Sequence, residues 1–418
     1  MSLRKQSPGE PVSERPRLLV VPHIYSENIS VREIEFARRL VRHFDTYCLA
    51  WDDALLIDIK SSLRRKWKQF RTALGSALKR REVRKARDGI TYIWAPVLQP
   101  ILFQRIFGPR LAASICQSFN RFTLESLAER LGINHILLAS GIFRFPRHAG
   151  VRGFFDVVDW FPEEQYPPAL VEAIRKELKV LASHAQGMFV VSEPLSEKLR
   201  IDCGIDAIAM PNGADMKSLR SVPREEIEDL RRRLGLEGKF IIGYIGNHGT
   251  FTGVDFVVDV FRRVCTRLPD AVLLVVGPAE HWRSLLESAR ADGVIWTGPV
   301  APVEVGKYFN LLDVGILAKE KTLGTELAFQ IKVVEYSACR KFVISTPLRT
   351  WELLAWPNVF LTELKVEAWV EAIVRARQSK WNPEWDKRIE EYDWDALADR
   401  MAAIMLGSGG QTAKRNAS

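Results

Sequence analysis

Apolar and polar positions along the chain follow two alternating patterns. Short apolar runs such as RLLVVP (17–22), FIIGYIG (240–246) and AVLLVVG (271–277) are typical of buried strands. Between them lie stretches in which apolar residues recur every three or four positions, as on one face of a helix. This alternation predicts parallel sheets covered by helices, and it occurs in both halves of the chain. We therefore expect an α/β protein with two Rossmann-like, doubly wound parallel-sheet domains facing each other across a cleft.

The best domain boundary is the turn signal Pro211-Asn212-Gly213, which is followed by a charged helical connector. It places an N-terminal domain at 17–213 and a C-terminal domain at 214–383. A terminal helix at about 384–406 is expected to cross back onto the first domain. The polar stretches 1–16 and 407–418 are expected to be a disordered lead-in and tail.

Composition indicates a soluble globular protein, with 47% hydrophobic and 27% charged residues among 418. The sequence contains no apolar run long enough to span a bilayer and no signal peptide. Its five cysteines are scattered and show no metal-ligand spacing, which favours free thiols in a reducing cytoplasm. We expect an intracellular protein without a bound metal or cofactor.

The net charge of +9 is concentrated in residues 60–87, where twelve lysines and arginines stand against Glu82 alone. Apolar residues recur there at helical spacing: Leu63, Trp67, Phe70, Leu74 and Leu78. One interpretation buries this stripe on the sheet and leaves the charges in solvent. The other lays the helix on an anionic membrane surface, with Trp67 and Phe70 at the interface. Nucleic acid is a weaker alternative, because no nucleic-acid motif accompanies the basic helix.

The stretch 330–347, QIKVVEYSACRKFVISTP, predicts a helix over 331–338 and a strand over 341–346. Lys332 and Glu335 are three residues apart and share one helical face near the helix start. A lysine beside a positive helix terminus suits a phosphate, and a carboxylate can accept from vicinal hydroxyls. Together they suggest a nucleotide sugar, although a surface ion pair is the simpler explanation for any such helix considered alone.

Two loops at strand ends add candidate chemistry. Gly246, Asn247, His248 and Gly249 follow the strand at 240–246, where small residues let backbone N–H groups approach a phosphate. The spacing is not that of a dinucleotide fold, and His248 could bond a phosphate or be an ordinary loop residue. Asp159 ends the run GFFDVVDW (153–160), at the edge where ligands of open parallel sheets bind. It is a candidate general base, or else a helix cap or loop acid.

Several motifs resemble those of GT-B glycosyltransferases of the family-4 type, the glycosyl transferases group 1. They are IGYIGNHGTFTGVDF (242–256), MPNGAD (210–215), GPVAPVEVGKYFNLLDVGIL (298–317) and QIKVVEYSACRKFVIST (330–346). The stretches FFDVVDWF and FVVSEPLSEKL are similar to a subset that builds bacterial exopolysaccharides. The resemblance covers the chain from Arg17 to about Leu406.

This resemblance implies a role for each matching position. It places Glu335 on a ribose, Lys332 on the diphosphate, and the backbone of 246–249 near the phosphates. Val300 would lie near the base, and Asp159 would occupy the position of a catalytic acid or base.

The chain departs from the family pattern at three places. The usual first glutamate falls on Leu327, with Glu326 one position away. Thr252 stands where a lysine usually follows the glycine loop. Cys339-Arg340 replaces the usual glycine turn.

The expected activity is transfer of a sugar from a nucleotide diphosphate sugar to a glycan or polyprenyl-linked acceptor, in bacterial surface or exopolysaccharide synthesis. Retention of configuration is implied by the resemblance alone. Metal independence is expected because no paired acidic motif is present. Peripheral contact with the inner face of the cytoplasmic membrane would use the basic helix at 60–87, and no nucleic acid is expected. The alternatives are a nucleotide-sugar epimerase of the same fold and a non-catalytic nucleotide-sugar-binding protein.

Overall fold

The computed structural model describes residues 15–23, 31–50, 83–85, 88–95, 97–99, 104–147, 150–160, 163, 166–249 and 252–407. For 83–85, 104–107 and 109 it describes the backbone alone. Within these ranges the strands form two sheets, one of eight strands and one of six. The predicted basic helix falls in 60–87, of which only the backbone of 83–85 is described.

The first sheet is built from residues 17–209. Its strands are β1 (Arg17–Val21), β2 (Asp45–Ala50), β3 (Val83–Lys85), β4 (Thr91–Trp94), β5 (His135–Leu138), β6 (Arg152–Val157), β7 (Gly187–Val190) and β8 (Ile208–Ala209). They lie in the order β3-β4-β2-β1-β5-β6-β7-β8. All neighbours pair in parallel except β3, which runs antiparallel to β4 at the edge. The parallel arrangement predicted from the strand and helix alternation is confirmed.

Helices cover both faces of this sheet, as the apolar periodicity predicts. They are α1 (Arg32–Leu40), α2 (Gln104–Leu131, kinked at Gly108), α3 (Pro168–His184) and α4 (Glu193–Cys203). The start of α4 is fixed locally, because the Ser192 side chain accepts from the backbone N–H of Leu195. Its end is fixed by Gly204, which takes the left-handed conformation that glycine favours. Two further helices, α5 (Met216–Arg220) and α6 (Arg224–Arg233), lead to the second sheet.

The second sheet is wholly parallel. Its strands are β9 (Phe240–Ile245), β10 (Ala271–Val276), β11 (Val294–Trp296), β12 (Val314–Leu317), β13 (Phe342–Ser345) and β14 (Val359–Leu361). They lie in the order β11-β10-β9-β12-β13-β14. Every residue of β9, β10, β12 and β13 is buried, as expected for strands covered by helices on both faces.

The helices of the second unit alternate with these strands. They are α7 (Val254–Cys265), α8 (Arg283–Ser288), α9 (Val305–Leu311), α10 (Leu323–Leu327), α11 (Ile331–Ala338), α12 (Arg349–Leu354) and α13 (Val366–Gln378). Short 3-10 turns lie at Glu280–Trp282, Ala289–Asp292 and Pro302–Glu304. Helix α11 has the bounds that the sequence predicts. Arg340, two residues beyond its end, takes the left-handed conformation with φ of 57°, where the family pattern has a glycine turn.

Helix α14 (Trp385–Glu390) packs on α11 and β13 of the second unit, and the last helix, α15 (Trp394–Leu406), returns to α1 of the first unit. The Trp394 ring meets Phe36 of α1 edge to face, with 5.1 Å between ring centroids. Beside the linker, the backbone N–H of Ala214 donates to the Tyr392 carbonyl, and that of Trp394 donates to the Ala214 carbonyl. The outgoing and returning chains therefore run side by side where the two sheets are joined.

None of the helices in the described ranges combines the length and apolarity needed to cross a membrane.

Candidate functional site

The order of the second sheet reverses between β9 and β12, and this is where a crevice opens in an open parallel sheet. The two strands pair only at Val314–Ile242 and Gly315–Gly243. Beyond these pairs their carboxyl ends separate, and the loop 246–249 and helix α11 stand at the opening.

Tyr336 of α11 lies beneath the crevice. Its hydroxyl accepts from the backbone N–H of Ile245 at 2.9 Å and lies 3.3 Å from the carbonyl oxygen of Gly243. The ring passes over Gly315, where a Cβ would lie only 2.5 Å from the ring. The side chain therefore satisfies the N–H that the separating strands leave unpaired, and it fixes α11 beneath the carboxyl end of β9.

Two of the four loop amides are already used. The N–H of Gly246 donates to the Val276 carbonyl at 2.9 Å, and that of His248 donates to the Pro278 carbonyl at 2.8 Å. Asn247 and Gly249 are exposed, and within the described ranges their N–H groups have no backbone acceptor. These two amides are the ones that remain to bind an anion.

The His248 side chain does not line the crevice, so of the two alternatives for this residue the structure favours an ordinary loop residue over a phosphate ligand. It is 2% exposed, its Nε2 lies 3.2 Å from the Val276 carbonyl, and its ring packs on Tyr244. Burial lowers the pKa of His248 to about 4, with smaller contributions in the same direction from Lys319 and Lys332. The imidazole is a neutral packing element beneath the loop.

Lys332 and Glu335 lie together at the start of α11 and form an ion pair, with 2.6 Å between Nζ and Oε2. The pairing considered as the simpler explanation is therefore present. The pair nevertheless borders the loop, because the Cε of Lys332 lies 3.8 Å from where a Cβ of Gly246 would be. Its ammonium also lies 5.3 Å from the centre of the Phe309 ring. Both side chains keep partial solvent access, at 30% and 19%.

Lys319 lies two residues beyond the carboxyl end of β12 and begins the long loop 319–329, where binding is expected from the sequence although no individual role is assigned to this lysine. Burial lowers the pKa of Lys319, and no carboxylate raises it. No ion pair forms on its ammonium within the described ranges, and its charge acts on His248 together with that of Lys332. An unpaired, half-buried cation is costly unless an anion binds there. In the sequence, its position just after an apolar strand is the feature that marks it as a candidate for ligand binding.

At two of the departures from the family pattern, the described structure supplies no replacement for the missing side chain. Leu327 is buried, and Glu326 lies among Lys321, Glu352 and Arg349 rather than beside α11. Thr252 is buried, and its hydroxyl donates to the Gly249 carbonyl at 2.6 Å. Neither Glu326 nor Thr252 supplies the missing group at the crevice.

Close backbone contacts fix the loops that border the site. A Cβ on Gly277 would lie 1.9 Å from the Gly246 carbonyl oxygen, and the Gly277 N–H donates to the Gly298 carbonyl at 3.0 Å. Val300 follows Gly298, half-buried against the core. The predicted base-contacting position thus belongs to the same group of loops as the glycine loop.

On the first sheet, Asp159 lies beyond the carboxyl end of β6 and is exposed. Its Oδ1 accepts from the backbone N–H of Trp160 at 2.8 Å. Surrounding protein raises the pKa of Asp159 by desolvation, while the Trp160 amide and His23 act in the opposite direction. A carboxylate in this setting can accept a proton from a bound hydroxyl.

Beside Asp159 lie four more charged or titratable groups that the sequence interpretation did not select. His23 follows β1, and its Nδ1 lies 2.5 Å from Oε1 of Glu33, a fully buried residue of α1. Arg32 donates through Nε and Nη2 to the two carboxylate oxygens of Asp156, at 2.8 and 3.2 Å. Burial raises the pKa of Asp156, against the opposing effect of Arg32. The partners are ten residues apart for His23–Glu33 and 124 residues apart for Arg32–Asp156, so neither contact can be predicted from a local sequence pattern.

The segment just before α11 is tied to three different elements. The Ser192 hydroxyl donates to the Leu327 carbonyl at 2.5 Å, Thr350 donates to the Ala328 carbonyl, and Asn212 donates to the Phe329 carbonyl at 3.4 Å. Ser192 belongs to the first unit and Thr350 to the second. The start of α11 therefore depends on contacts from both units.

Within the described ranges, histidine, cysteine and acidic side chains form no group of three or more arranged to hold a metal ion. The groups that the structure brings together at the crevice are amides, lysines and one carboxylate. They suit the phosphates and hydroxyls of a nucleotide ligand.

Comparisons with known proteins agree with this geometry. Residues 239–379 match the family described as Glycosyl transferases group 1. A putative teichuronic acid biosynthesis glycosyltransferase of Bacillus subtilis is 33% identical over 128 residues, which cover 30% of this chain and 31% of that protein. The chain thus spans about a third of the length of this curated relative.

Solved structures share the fold along nearly the whole chain. A glycosyltransferase from Rickettsia africae has a TM-score of 0.65 at 12% identity, covering 96% of this chain and 100% of that one. Anabaena HepE, solved in complex with UDP-glucose, has a TM-score of 0.64 at 16% identity, covering 94% and 99%. Residues 239–379 are therefore similar to a glycosyl transferases group 1 domain, in a chain that has the two-sheet GT-B fold.

Proposed function

We propose that this protein is a glycosyltransferase that moves a sugar from a nucleotide diphosphate sugar to a glycan or lipid-linked acceptor in bacterial surface or exopolysaccharide synthesis. The observation that carries the proposal is the crevice between β9 and β12. There, two exposed loop amides, the unpaired Lys319 and the Lys332–Glu335 pair border one opening. The Bacillus relative, named for teichuronic acid biosynthesis, supports a role in surface polysaccharides.

The second unit binds the donor in this proposal. Lys319, Lys332 and the amides of Asn247 and Gly249 hold the diphosphate, while Glu335 accepts from the ribose hydroxyls and Val300 borders the base. Binding would exchange part of the Lys332–Glu335 ion pair for contacts with the ligand. The loss of a partly exposed ion pair costs little compared with charge-assisted bonds to phosphate.

The first unit presents the acceptor. The acceptor oxygen forms a bond to the anomeric carbon, and the bond from that carbon to the diphosphate oxygen breaks, leaving its electron pair on the diphosphate. The acceptor proton goes to the Asp159 carboxylate. The lysines and loop amides stabilise the charge that develops on the leaving group, without a metal ion. The configuration at the anomeric carbon is retained because the acceptor oxygen approaches from the face that the diphosphate leaves; attack from the opposite face would invert it.

In this proposal, the first unit binds the acceptor at the inner face of the cytoplasmic membrane. The basic segment 60–87 supports contact with anionic lipid through its charge and its apolar stripe. Reversal of the charges of Arg64, Arg65, Lys66 and Lys68 should release the protein from vesicles of anionic lipid. Unchanged partitioning after this reversal would exclude the segment as the membrane contact.

The test is a panel of UDP-, GDP- and ADP-sugars, measured by thermal shift and by release of nucleoside diphosphate, with and without membrane lipid extract. The wild type is compared with Lys332→Ala. Lys387→Ala is the matched control, because Lys387 forms the same type of i,i+3 ion pair with Glu384, at 2.8 Å, on an exposed surface.

We expect one donor to raise the melting temperature of the wild type and of Lys387→Ala but not of Lys332→Ala. Lipid-dependent release of the diphosphate would identify a transferase. Turnover of the donor without an acceptor, giving an epimeric sugar, would instead identify an epimerase. Donor binding without any turnover would identify a non-catalytic binding protein, and no shift with any donor would exclude the proposed site.

A further inference from the structure

The carboxyl ends of β1 and β6 bring together an unusual number of buried charged groups in the first unit. Glu33, Arg32 and Asp156 are between 0% and 6% exposed, and His23 is half-buried beside them. Burial of several charges costs free energy unless each is paired or binds something. Some of these four groups have a full set of hydrogen-bond partners and others do not. This incomplete pairing indicates that a ligand binds here.

Arg32 and Asp156 satisfy each other, because the guanidinium donates to both carboxylate oxygens. Glu33 is different. Its Oε1 accepts from both the backbone N–H of His23, at 2.9 Å, and the ring Nδ1, at 2.5 Å. Its Oε2 is buried and has no hydrogen-bond partner among the described residues. The carboxylate is thus directed at His23 rather than shared with a network.

This arrangement fixes the orientation of the imidazole and favours its protonated form. Because Nδ1 donates to Glu33, the ring offers Nε2 to its other side, where 33% of the side chain is exposed. The charged groups whose fields reach it are the carboxylates of Glu33 on α1 and of Asp156 and Asp159 at the end of β6. Arg32, on α1, is occupied by Asp156. Burial lowers the pKa of His23, but Glu33 and the two aspartates outweigh it, so the pKa is raised.

We propose that His23, oriented by Glu33, is a phosphoryl-binding residue that the first unit contributes to the cleft. Its Nε2–H donates to a phosphate oxygen, and Glu33 acts as the positioning residue. The identity of this oxygen, on the donor diphosphate or on a phosphate of a lipid-linked acceptor, rests on the proposed function. The binding of a phosphoryl group does not depend on it.

The experiment measures binding of inorganic pyrophosphate, of UDP, GDP and ADP, and of farnesyl diphosphate to the full chain by calorimetry, from about pH 5.5 to about pH 9. The variants are His23→Gln and Glu33→Gln, with Glu33→Asp as a milder second change. His43→Gln is the matched control, because the Nε2 of His43 lies 2.7 Å from Asp399 in an exposed histidine–carboxylate pair. At each pH, the affinity of the wild type is divided by that of His23→Gln, so that the effect of the ligand's own ionisation cancels.

We expect His23→Gln to weaken pyrophosphate binding about tenfold at the acidic end and little at the alkaline end, since the charge-assisted bond is lost only where the imidazole is protonated. In protein labelled with ¹³C at histidine Cε1, the signal missing from His23→Gln should shift on addition of pyrophosphate. The same signal should titrate at lower pH in Glu33→Gln or Glu33→Asp. A stronger effect on nucleoside diphosphates than on farnesyl diphosphate would assign the donor, and the reverse would assign the acceptor.

Equal pyrophosphate affinity of wild type and His23→Gln across the pH range would overturn the inference. So would a His23 signal that pyrophosphate does not move, or one whose titration is the same in both Glu33 variants as in the wild type. These outcomes are separate from the proposed function. Normal sugar transfer by His23→Gln, with unchanged pyrophosphate binding, would support the transferase function and exclude the His23 site. Pyrophosphate binding that depends on His23, without turnover of any donor, would support the His23 site and exclude the transferase function.

Discussion

The Tyr336 hydroxyl accepts from the backbone N–H of Ile245 at 2.9 Å, across 91 residues of sequence. Ile245 ends β9, and Tyr336 lies one residue after Glu335 on α11. The bond stands where β9 and β12 separate, so the N–H of Ile245 has no strand partner on the β12 side. One side chain thus joins the crevice to the helix that carries Lys332 and Glu335.

Replacement of Tyr336 by phenylalanine should therefore act on both stability and binding. The buried N–H of Ile245 would lose its acceptor, at a cost of about 1–3 kcal/mol in the free energy of unfolding. The half-buried Tyr308 provides the control, and Tyr308→Phe should cost clearly less. Urea unfolding measures both variants, and equal losses would contradict the role of the Tyr336 hydroxyl.

Gly315→Ala tests the close approach of the Tyr336 ring. The new Cβ would lie 2.5 Å from Cγ of a fully buried aromatic ring, which cannot move aside freely. We expect destabilisation of about 1–3 kcal/mol and a displaced α11. Gly141→Ala is the control, because nothing lies within 4 Å of a Cβ at that position. A Gly315→Ala protein as stable as Gly141→Ala would show that the ring has room to shift.

Lys319→Met should raise stability while it removes binding. The substitution takes away a half-buried cation that has no ionic partner in the described structure and keeps much of its apolar volume. We expect a higher melting temperature without ligand and a smaller ligand-induced shift with the donor that the wild type prefers. A drop in melting temperature together with unchanged donor affinity would contradict an anion site at Lys319.

Ser192 has two roles that different substitutions separate. Its oxygen caps α4, and its hydroxyl donates to the Leu327 carbonyl of the second unit. Ser192→Gly removes the hydroxyl but costs the cap only about 0.3 kcal/mol, because glycine is well tolerated at the N-cap position. We expect Ser192→Gly to raise the donor KM with little loss of stability, because the segment before α11 loses its tie to the first unit.

Two comparisons interpret that result. Ser192→Ala should show the same rise in KM and an additional loss of about 1 kcal/mol from the missing cap. Thr350→Ala removes a bond of 3.1 Å to the neighbouring Ala328 carbonyl, with both partners in the second unit. A donor KM in Ser192→Gly equal to that of the wild type would exclude the interdomain bond as a positioning contact.

His248 should make the protein sensitive to mild acid. Burial lowers the pKa of His248 to about 4, below the ordinary value of 6.5, so the unfolded chain takes up a proton before the folded chain does. Its contribution is present above about pH 6.5 and is lost as the pH falls toward about 4, by on the order of 3 kcal/mol. Melting temperatures between these values should fall less steeply for His248→Gln. Parallel curves for the two proteins would contradict this assignment.

Much of the fold follows from local sequence. The strands β9, β10 and β13 are continuous apolar runs because both faces of a parallel sheet are covered. Helix α11 begins at Ile331 and ends at Ala338, as its periodicity predicts, because both signals lie within the segment itself. The basic segment 60–87 also has a clear local pattern, but its place lies outside the described residues.

The sequence by itself determined the two-sheet architecture and the stretches that end at the crevice, since apolar periodicity and turn residues act over a few positions. Only the tertiary structure decided what each side chain does there. It buried His248 beneath its loop, paired Lys332 with Glu335, gave Lys319 no carboxylate partner among the described residues, and set Glu33 against His23. Burial and pairing of a side chain depend on which distant segments of the chain pack against it. The type of a residue alone does not show which segments these will be.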